Sequence, residues 1–229
     1  MLWFVVLAVV LAGLGFLVWY VVAAPESQVL GKSLVRGPRN SGRIALTFDD
    51  GPGEATPAIL DMLKQAEIRA TFFLCGQNVE RYPALARRIA EEGHEIGNHS
   101  YSHPRLLGRT PGRIAYEVEQ AQRVIVHHTG RVPTLFRPPY GLRWFGLFRI
   151  LDRNGLTSVM WSVNSLDWKL PVDRIFARVI QGAGPGAIIL FHDGVPPRAS
   201  ADRTATVEAL RSVLHAVLGR YQCVPVSEL

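Results

Sequence analysis

The sequence predicts an α/β domain built on parallel strands, and three observations carry that prediction. Short apolar β-type runs alternate with helix-length amphipathic stretches from residue 43 to residue 229. Regular alternation of this kind implies crossover connections, hence parallel pairing in a barrel or a doubly wound sheet. Each polar cluster falls just after one of the apolar runs, and in a βα-barrel those positions share the C-terminal face, where side chains from distant segments converge. A chain of 229 residues is long enough for one sizeable core once a leader is set aside.

Residues 1–24 contain no charged side chain. At about 1.5 Å per helical residue such a stretch spans the roughly 30 Å hydrocarbon core of a bilayer. Trp3 near one end and Trp19-Tyr20 near the other are placed as interfacial anchors. Val22-Ala23-Ala24 resembles a small-residue cleavage site, so a cleaved signal peptide is the competing reading. The apolar run is longer than a usual signal core and no Lys or Arg precedes it, which favours a retained transmembrane anchor. Lys32, Arg36, Arg39 and Arg43 pull the following flank toward the cytoplasm. Long domains translocate against weak charge bias, so an anchored, extracytoplasmic catalytic domain is expected, with a secreted form as the alternative. Residues 25–42, with Pro25, Gly31, Gly37, Pro38 and Gly42, read as a linker, and 43–229 as one catalytic domain.

Within that domain the apolar run 44–48 is a strand, 57–65 is helical with Ile59, Leu60 and Leu63 on one face, and 70–74 is the next strand. Residues 82–92 form a helix ended by Gly93, and Glu95-Ile96 leads a strand into a histidine-rich loop. Thr110-Pro111 has the N-cap and first-turn signature of a long helix that runs to about His128 and stops at Gly130. Further strands are expected near 134–136, 158–163, 187–191 and 223–226, and helices near 145–153, 172–181 and 204–218.

Lys and Arg number 25 against 19 Asp and Glu, a net charge of +6, which favours an anionic neighbour such as a wall polymer or lipid headgroups, or serves solubility. No basic run interleaves with stacking aromatics, so nucleic acid is not expected as a partner, and the chain is expected to be a monomer. Two cysteines, Cys75 and Cys223, are too few for a disulfide framework and read as buried small apolar residues.

The chemistry centres on His99-Ser-Tyr-Ser-His103. Two imidazoles four residues apart can close on one metal ion, and a third ligand is available from Asp49-Asp50 at the end of the run 44–48, before the breaker pair Gly51-Pro52. A lone His-x3-His is commonly a surface pair, and a lone Asp-Asp-Gly a turn; their combination raises both. His and Asp donors with no Cys nearby suit a zinc-like divalent cation with an open position for water. Adjacent carboxylates at a strand end point apart, so one can hold the metal while the other takes a proton from water.

Thr47-Phe48-Asp49-Asp50-Gly51-Pro52, His99-x3-His103, Arg137-Pro138-Pro139-Tyr140-Gly141, Asp167-Trp168 and Leu190-Phe191-His192 occur in that order. In this they resemble the five motifs of the polysaccharide deacetylases, carbohydrate esterase family 4. The resemblance covers residues 43–229 and implies a distorted (β/α) barrel. It implies that Asp49 is the catalytic base and that Asp50, His99 and His103 hold a divalent metal, most often zinc, with cobalt, nickel or manganese as alternatives. By the same resemblance Arg137 orients the base, Asp167 tethers that arginine, the Tyr140 backbone N–H stabilises the oxyanion and His192 is the general acid. Leu190, Trp168 and Pro138 are then the substrate-facing wall. The family motif often reads Asp-x-x-Asp-Trp where this chain has Asn164-x-x-Asp167-Trp168, so support of the arginine is expected to rest on Asp167 alone. His94, His127, His128 and His215 are expected to be structural or solvated.

The function implied is metal-dependent removal of acetyl from an N-acetylated sugar in peptidoglycan, a chitin-like polymer or another surface glycan. The alternatives are deformylation or deacetylation of a lipid-linked amino sugar, and an inactive glycan-binding module on the same fold.

Overall fold

The computed structural model describes residues 1–229, the side chain of Leu2 apart. In chain order the strands are β1 Ser33–Leu34, β2 Arg43–Asp49, β3 Thr71–Leu74, β4 Glu95–Asn98, β5 Leu135–Phe136, β6 Thr157–Val159, β7 Val163–Asn164, β8 Ile188–His192 and β9 Gln222–Cys223. The helices are α1 Leu2–Ala23, α2 Thr56–Gln65, α3 Gly76–Arg81, α4 Pro83–Glu91, α5 Pro111–Thr129, α6 Leu147–Arg153, α7 Val172–Gly182 and α8 Thr204–Val217.

Eight strands follow the order β1-β6-β5-β4-β3-β2-β8-β7, with β9 paired to the start of β2. Every strand pairing is parallel, as the alternation of the sequence requires. The sheet curls into the distorted barrel that the motifs imply. The chain between β6 and β7 bridges β1 and β8: Met160 N–H donates to Leu34 C=O at 2.7 Å and Ser162 N–H to Ile188 C=O at 3.0 Å.

The period of two along β2 sorts its residues onto two faces. Ile44, Leu46 and Phe48 enter the large core beneath α2, α7 and α8. Phe48 stacks there on Phe72 at 4.9 Å and on Phe191 at 6.0 Å. Ala45 joins Phe73, Leu135, Val159 and Ile188 in a smaller core inside the curl. Thr47 and Asp49 continue that inner row toward the C-terminal ends of the strands. Because Asp49 is in register with His192 of β8, the two side chains rise on the same face of neighbouring strands.

The long helix α5 keeps its expected ends: Thr110 accepts from Arg113 N–H at 3.3 Å, and Gly130 takes the left-handed conformation at φ 66°. Cys75 and Cys223 are free and buried, as read.

Three expectations are corrected. Residues 25–42 are not a free linker, because β1 adds to the sheet beside β6 and Arg36 bridges to Ala187; Ser33-Leu34 is too short to show a period. The run 158–163 is two strands, since the chain leaves β5 and β1 after Val159 and joins β8 at Val163. The last strand is confined to Gln222–Cys223, and Val226–Glu228 closes as a 3₁₀ turn after Pro225. The short helix α3 has no capping side chain and was not legible.

Candidate active site

The C-terminal ends of β2, β4, β5 and β8 bring together residues 49–50, 98–103, 137–140 and 192. Asp50 leaves β2 with φ 68°, and this left-handed turn separates its carboxylate from that of Asp49. Asn78 steadies the turn by donating to Asp50 C=O at 2.6 Å. Across from it, Ser100 and His103 also have positive φ, at 67° and 54°. Non-glycine residues in this region cost about 1–3 kcal/mol each, and their clustering at one end of the sheet is characteristic of a working site.

The histidine loop is held by groups the sequence did not single out. Asn98 receives Ser100 N–H at 2.9 Å and donates to Val118 C=O and the Gln122 side chain on α5, both at 2.9 Å. Glu117, wholly buried on α5, accepts from Ser102 N–H and Ser102 Oγ, both at 2.8 Å, and from Arg113 at 2.6 Å. No sequence signal marks it, because a carboxylate on an amphipathic helix ordinarily faces solvent.

Asp50, His99 and His103 are all buried, and one donor atom from each lies within 4.8 Å of the other two. Asp50 Oδ1 is 3.0 Å from His103 Nε2 and 3.4 Å from His99 Nε2. His99 Nδ1 lies 2.7 Å from Arg137 C=O; donation there leaves the Nε2 lone pair facing Asp50. Asp50 Oδ1 has no hydrogen-bond donor of its own. An orphaned carboxylate oxygen between two imidazole nitrogens is a donor set that fits a divalent cation.

Asp49 lies beside this cluster, its Oδ2 at 3.7 Å from His99 Nε2. Its other oxygen accepts from Arg137 Nη1 at 2.7 Å. Arg137 is completely buried and lies over the Phe73 ring at 4.1 Å. The rest of its guanidinium donates to Met160 C=O at 2.9 Å and Val159 C=O at 3.3 Å, and it also reaches Thr47 Oγ1 at 2.8 Å. Burial lowers its pKa and Asp49 opposes that shift.

On the other side of Asp49, His192 Nδ1 is 2.8 Å from Asp167 Oδ1. Asp167 Oδ2 accepts from His192 N–H and from Thr206 Oγ1, both at 2.8 Å. Burial alone would push the imidazole down, but the Asp167 charge and hydrogen bond, with Asp50 and Asp49 adding, raise it to about 9. Burial likewise opposes ionisation of Asp167, which His192 and Thr206 nonetheless hold below the ordinary carboxylate value. Next along the chain, Asp193 accepts from Thr56 Oγ1 at 2.6 Å, and burial pushes it up to about 7.

Asp167 therefore does not tether Arg137, as the motif order implied; it braces His192. Nor does the Asn164 substitution bear on the arginine: Asn164 Oδ1 accepts from Leu166 N–H at 3.0 Å within its own turn. The support of Arg137 comes from Thr47 and two backbone carbonyls.

At the mouth, Tyr140 has φ 57° and its half-exposed ring stands edge-on to His103 at 4.5 Å. Trp168 is 46% exposed and edge-on to His192 at 4.9 Å, whereas Leu190 is buried on the inner row below it and Pro138 is buried before the Tyr140 turn.

A family profile described as polysaccharide deacetylase matches residues 36–159. The chain belongs to the polysaccharide deacetylase family. The chitooligosaccharide deacetylase of Azorhizobium caulinodans is 37% identical over 202 residues, 84% of this chain and 96% of that protein. The crystal structure of Bc1960, a peptidoglycan N-acetylglucosamine deacetylase, aligns with a TM-score of 0.81 at 35% identity, covering 86% of this chain and 91% of its own. A family 4 pseudoenzyme from Bacillus anthracis aligns at 0.79 with 30% identity, covering 86% of this chain and 68% of its own. This polysaccharide deacetylase thus shares its fold with both active and inactive relatives, and its site residues have to be judged on their own geometry.

His94 is a structural histidine, as read: its Nδ1 accepts from Ala70 N–H at 3.2 Å, and burial lowers it to about 4.

Proposed function

We propose that this chain is a metal-dependent N-deacetylase of N-acetylated sugars in peptidoglycan or a related surface glycan, releasing acetate and a free amine. The observation that carries the reading is one carboxylate, Asp49, set between a three-donor cluster and a charged histidine. Asp50, His99 and His103 would hold the cation, with zinc favoured by the two imidazoles and one carboxylate. Such a cation supplies Lewis-acid activation of water and of the acetyl carbonyl.

The protein's own groups then divide the proton transfers. Asp49, aimed by its hydrogen bond from Arg137, takes the proton of the attacking water. The Tyr140 backbone N–H donates to the developing oxyanion. His192, protonated because Asp167 faces its Nδ1, gives its Nε2 proton to the leaving nitrogen, without which amine expulsion from the tetrahedral centre is slow. Trp168, Leu190 and Pro138 line the side that takes the acetyl methyl. A binding module has no use for an arginine-aimed carboxylate and a carboxylate-braced histidine on either side of a donor cluster, so the geometry favours the enzyme over the inactive reading. An extracytoplasmic, membrane-anchored domain is consistent with wall-directed relatives and with the apolar span of Trp3–Ala23.

The test is mass-spectrometric detection of acetate released by the detergent-solubilised full chain from chitooligosaccharides, peptidoglycan and lipid-linked amino sugars. Release from the first two is expected. Release from none of the three, with metal bound, overturns the proposal.

A further inference from the structure

The C-terminal end of α1 is packed into the domain. Val22, Ala24 and Ser27 are buried, and one residue takes up their carbonyls. Arg143 N–H donates to Val22 C=O at 2.9 Å, its Nη1 to Ser27 C=O at 2.6 Å and its Nη2 to Ala24 C=O. Arg143 is 1% exposed, and among the described residues no carboxylate forms a salt bridge with it. Its guanidinium is met by the carbonyl of Ala24, the C-cap of α1, and by that of Ser27 beyond it, with the Glu26 charge in reach.

The chain beyond is folded back as well. Gly31 packs so closely on Phe148 of α6 that an added Cβ would lie 2.1 Å from the ring. Gln28 Oε1 accepts from Ser33 N–H at 2.7 Å. Arg143 follows Tyr140 by three residues, so their Cα atoms are at most about 11 Å apart. The helix therefore leaves the domain beside the mouth of the site. Two residues further on, Phe145 is 64% exposed, edge-on to Trp144 at 4.9 Å. Exposed Lys32 and Arg149 adjoin the Gly31–Phe148 contact.

We propose that the surface around Phe145, at the root of α1, rests on the lipid bilayer, and that Arg143 is the joint holding the catalytic mouth there. The occupant follows from continuity. An uncharged span of mean hydropathy 2.7 belongs in lipid, so the surface packed against its end meets the headgroup zone. Aromatic rings and basic side chains are favoured in that zone. A free tether of 18 residues would let the domain range over roughly 20–25 Å, and up to about 60 Å when extended. The joint removes that reach and directs the site to glycan lying at the membrane surface. The inference rests on α1 being retained, and its test does not read deacetylation.

Because Cys75 and Cys223 are buried, Phe145→Cys provides one accessible thiol for an environment-sensitive fluorophore. Val132→Cys provides a control at the opposite ends of the strands, between α5 and β5, where Val132 is 68% exposed. The full chain is reconstituted in phosphatidylethanolamine–phosphatidylglycerol vesicles containing a brominated acyl chain. The label at 145 is expected to be quenched at least threefold more than the label at 132. Arg143→Gln should lower the quenching at 145 toward the control, and Arg143→Lys, which keeps a cationic donor, should lower it less. Equal quenching at 145 and 132 overturns the bilayer contact. Undiminished quenching in both Arg143 variants overturns the joint.

Discussion

Replacing Asp167 with Asn should turn His192 from a cation into a neutral ring over much of the working pH range. The imidazole side chain is only 14% exposed, and burial alone would lower its pKa. The facing carboxylate is the chief reason that it stands instead at about 9 rather than 6.5. That difference corresponds to roughly 3 kcal/mol. Since the folded value lies above the unfolded one, the stabilisation is complete below pH 6.5 and is lost as pH rises through about 9. Asp167 has a folded value below 3.8, so its share is present above that pH and is lost as pH falls through the folded value. The pair therefore contributes fully between about pH 4 and 6.5. An Asn amide can still accept from Nδ1 but carries no charge, so the variant's His192 should titrate at or below 6.5. Near pH 8 the protonated fraction then falls from about nine-tenths to a few per cent, a loss of roughly 30-fold in competent enzyme. The alkaline limb of kcat/KM for a soluble chitooligosaccharide should move from near 9 to below 7, and the His192 ring resonance of metal-free protein should titrate in step. If both midpoints stay where they are in the wild type, Asp167 does not set the charge of His192.

Two further outcomes follow from the same geometry. His103→Ala should lower metal affinity sharply and activity with it, because it removes one of three donors; full metal content after dialysis against chelator would exclude His103 from the ligand set. Arg137→Met, similar in length but uncharged, leaves Asp49 buried without its cation and should destabilise the fold by about 3–5 kcal/mol. A melting temperature within 2 °C of wild type, by the general scaling of about 2–4 °C per kcal/mol for chains of this size, would show that Asp49 has another partner.

What could be read from the sequence was what local spacing encodes. The strand end at Asp49-Asp50, the pair His99 and His103 and the run ending in His192 are each contiguous, and parallel pairing places all three at one end of the sheet. Partner choice between distant motifs was not readable, because it depends on strand order. Asp167 follows β7, and β7 lies next to β8, which ends in His192; Arg137 follows β5, separated from β7 along the sheet by four strands. The motif list has no record of that order, so Asp167 was assigned to the arginine. Thr206, Glu117 and Arg143 were missed for a related reason. Each is a polar residue buried by tertiary contact, in a helix or a loop, with no local pattern to mark it.

The strained backbone at the mouth explains why so much polar structure is buried around so few reacting groups. Asp50, Ser100, His103 and Tyr140 all have positive φ, an arrangement that local propensity does not supply. Three of the four lie next to a brace: Asn78 holds Asp50 C=O, Asn98 holds Ser100 N–H, and Ser100 Oγ accepts from His103 N–H at 3.1 Å. Glu117 locks the intervening Ser102 from α5. Each of these braces is a hydrogen bond made by the protein's own groups. Within the cluster, what these contacts leave without a hydrogen-bond partner is Asp50 Oδ1, which two imidazole Nε2 atoms face, and His103 Nδ1. A scaffold that satisfies its braces and leaves Asp50 Oδ1 unpaired beside two imidazoles places an unmet electrostatic demand where the proposed cation would sit, next to Asp49.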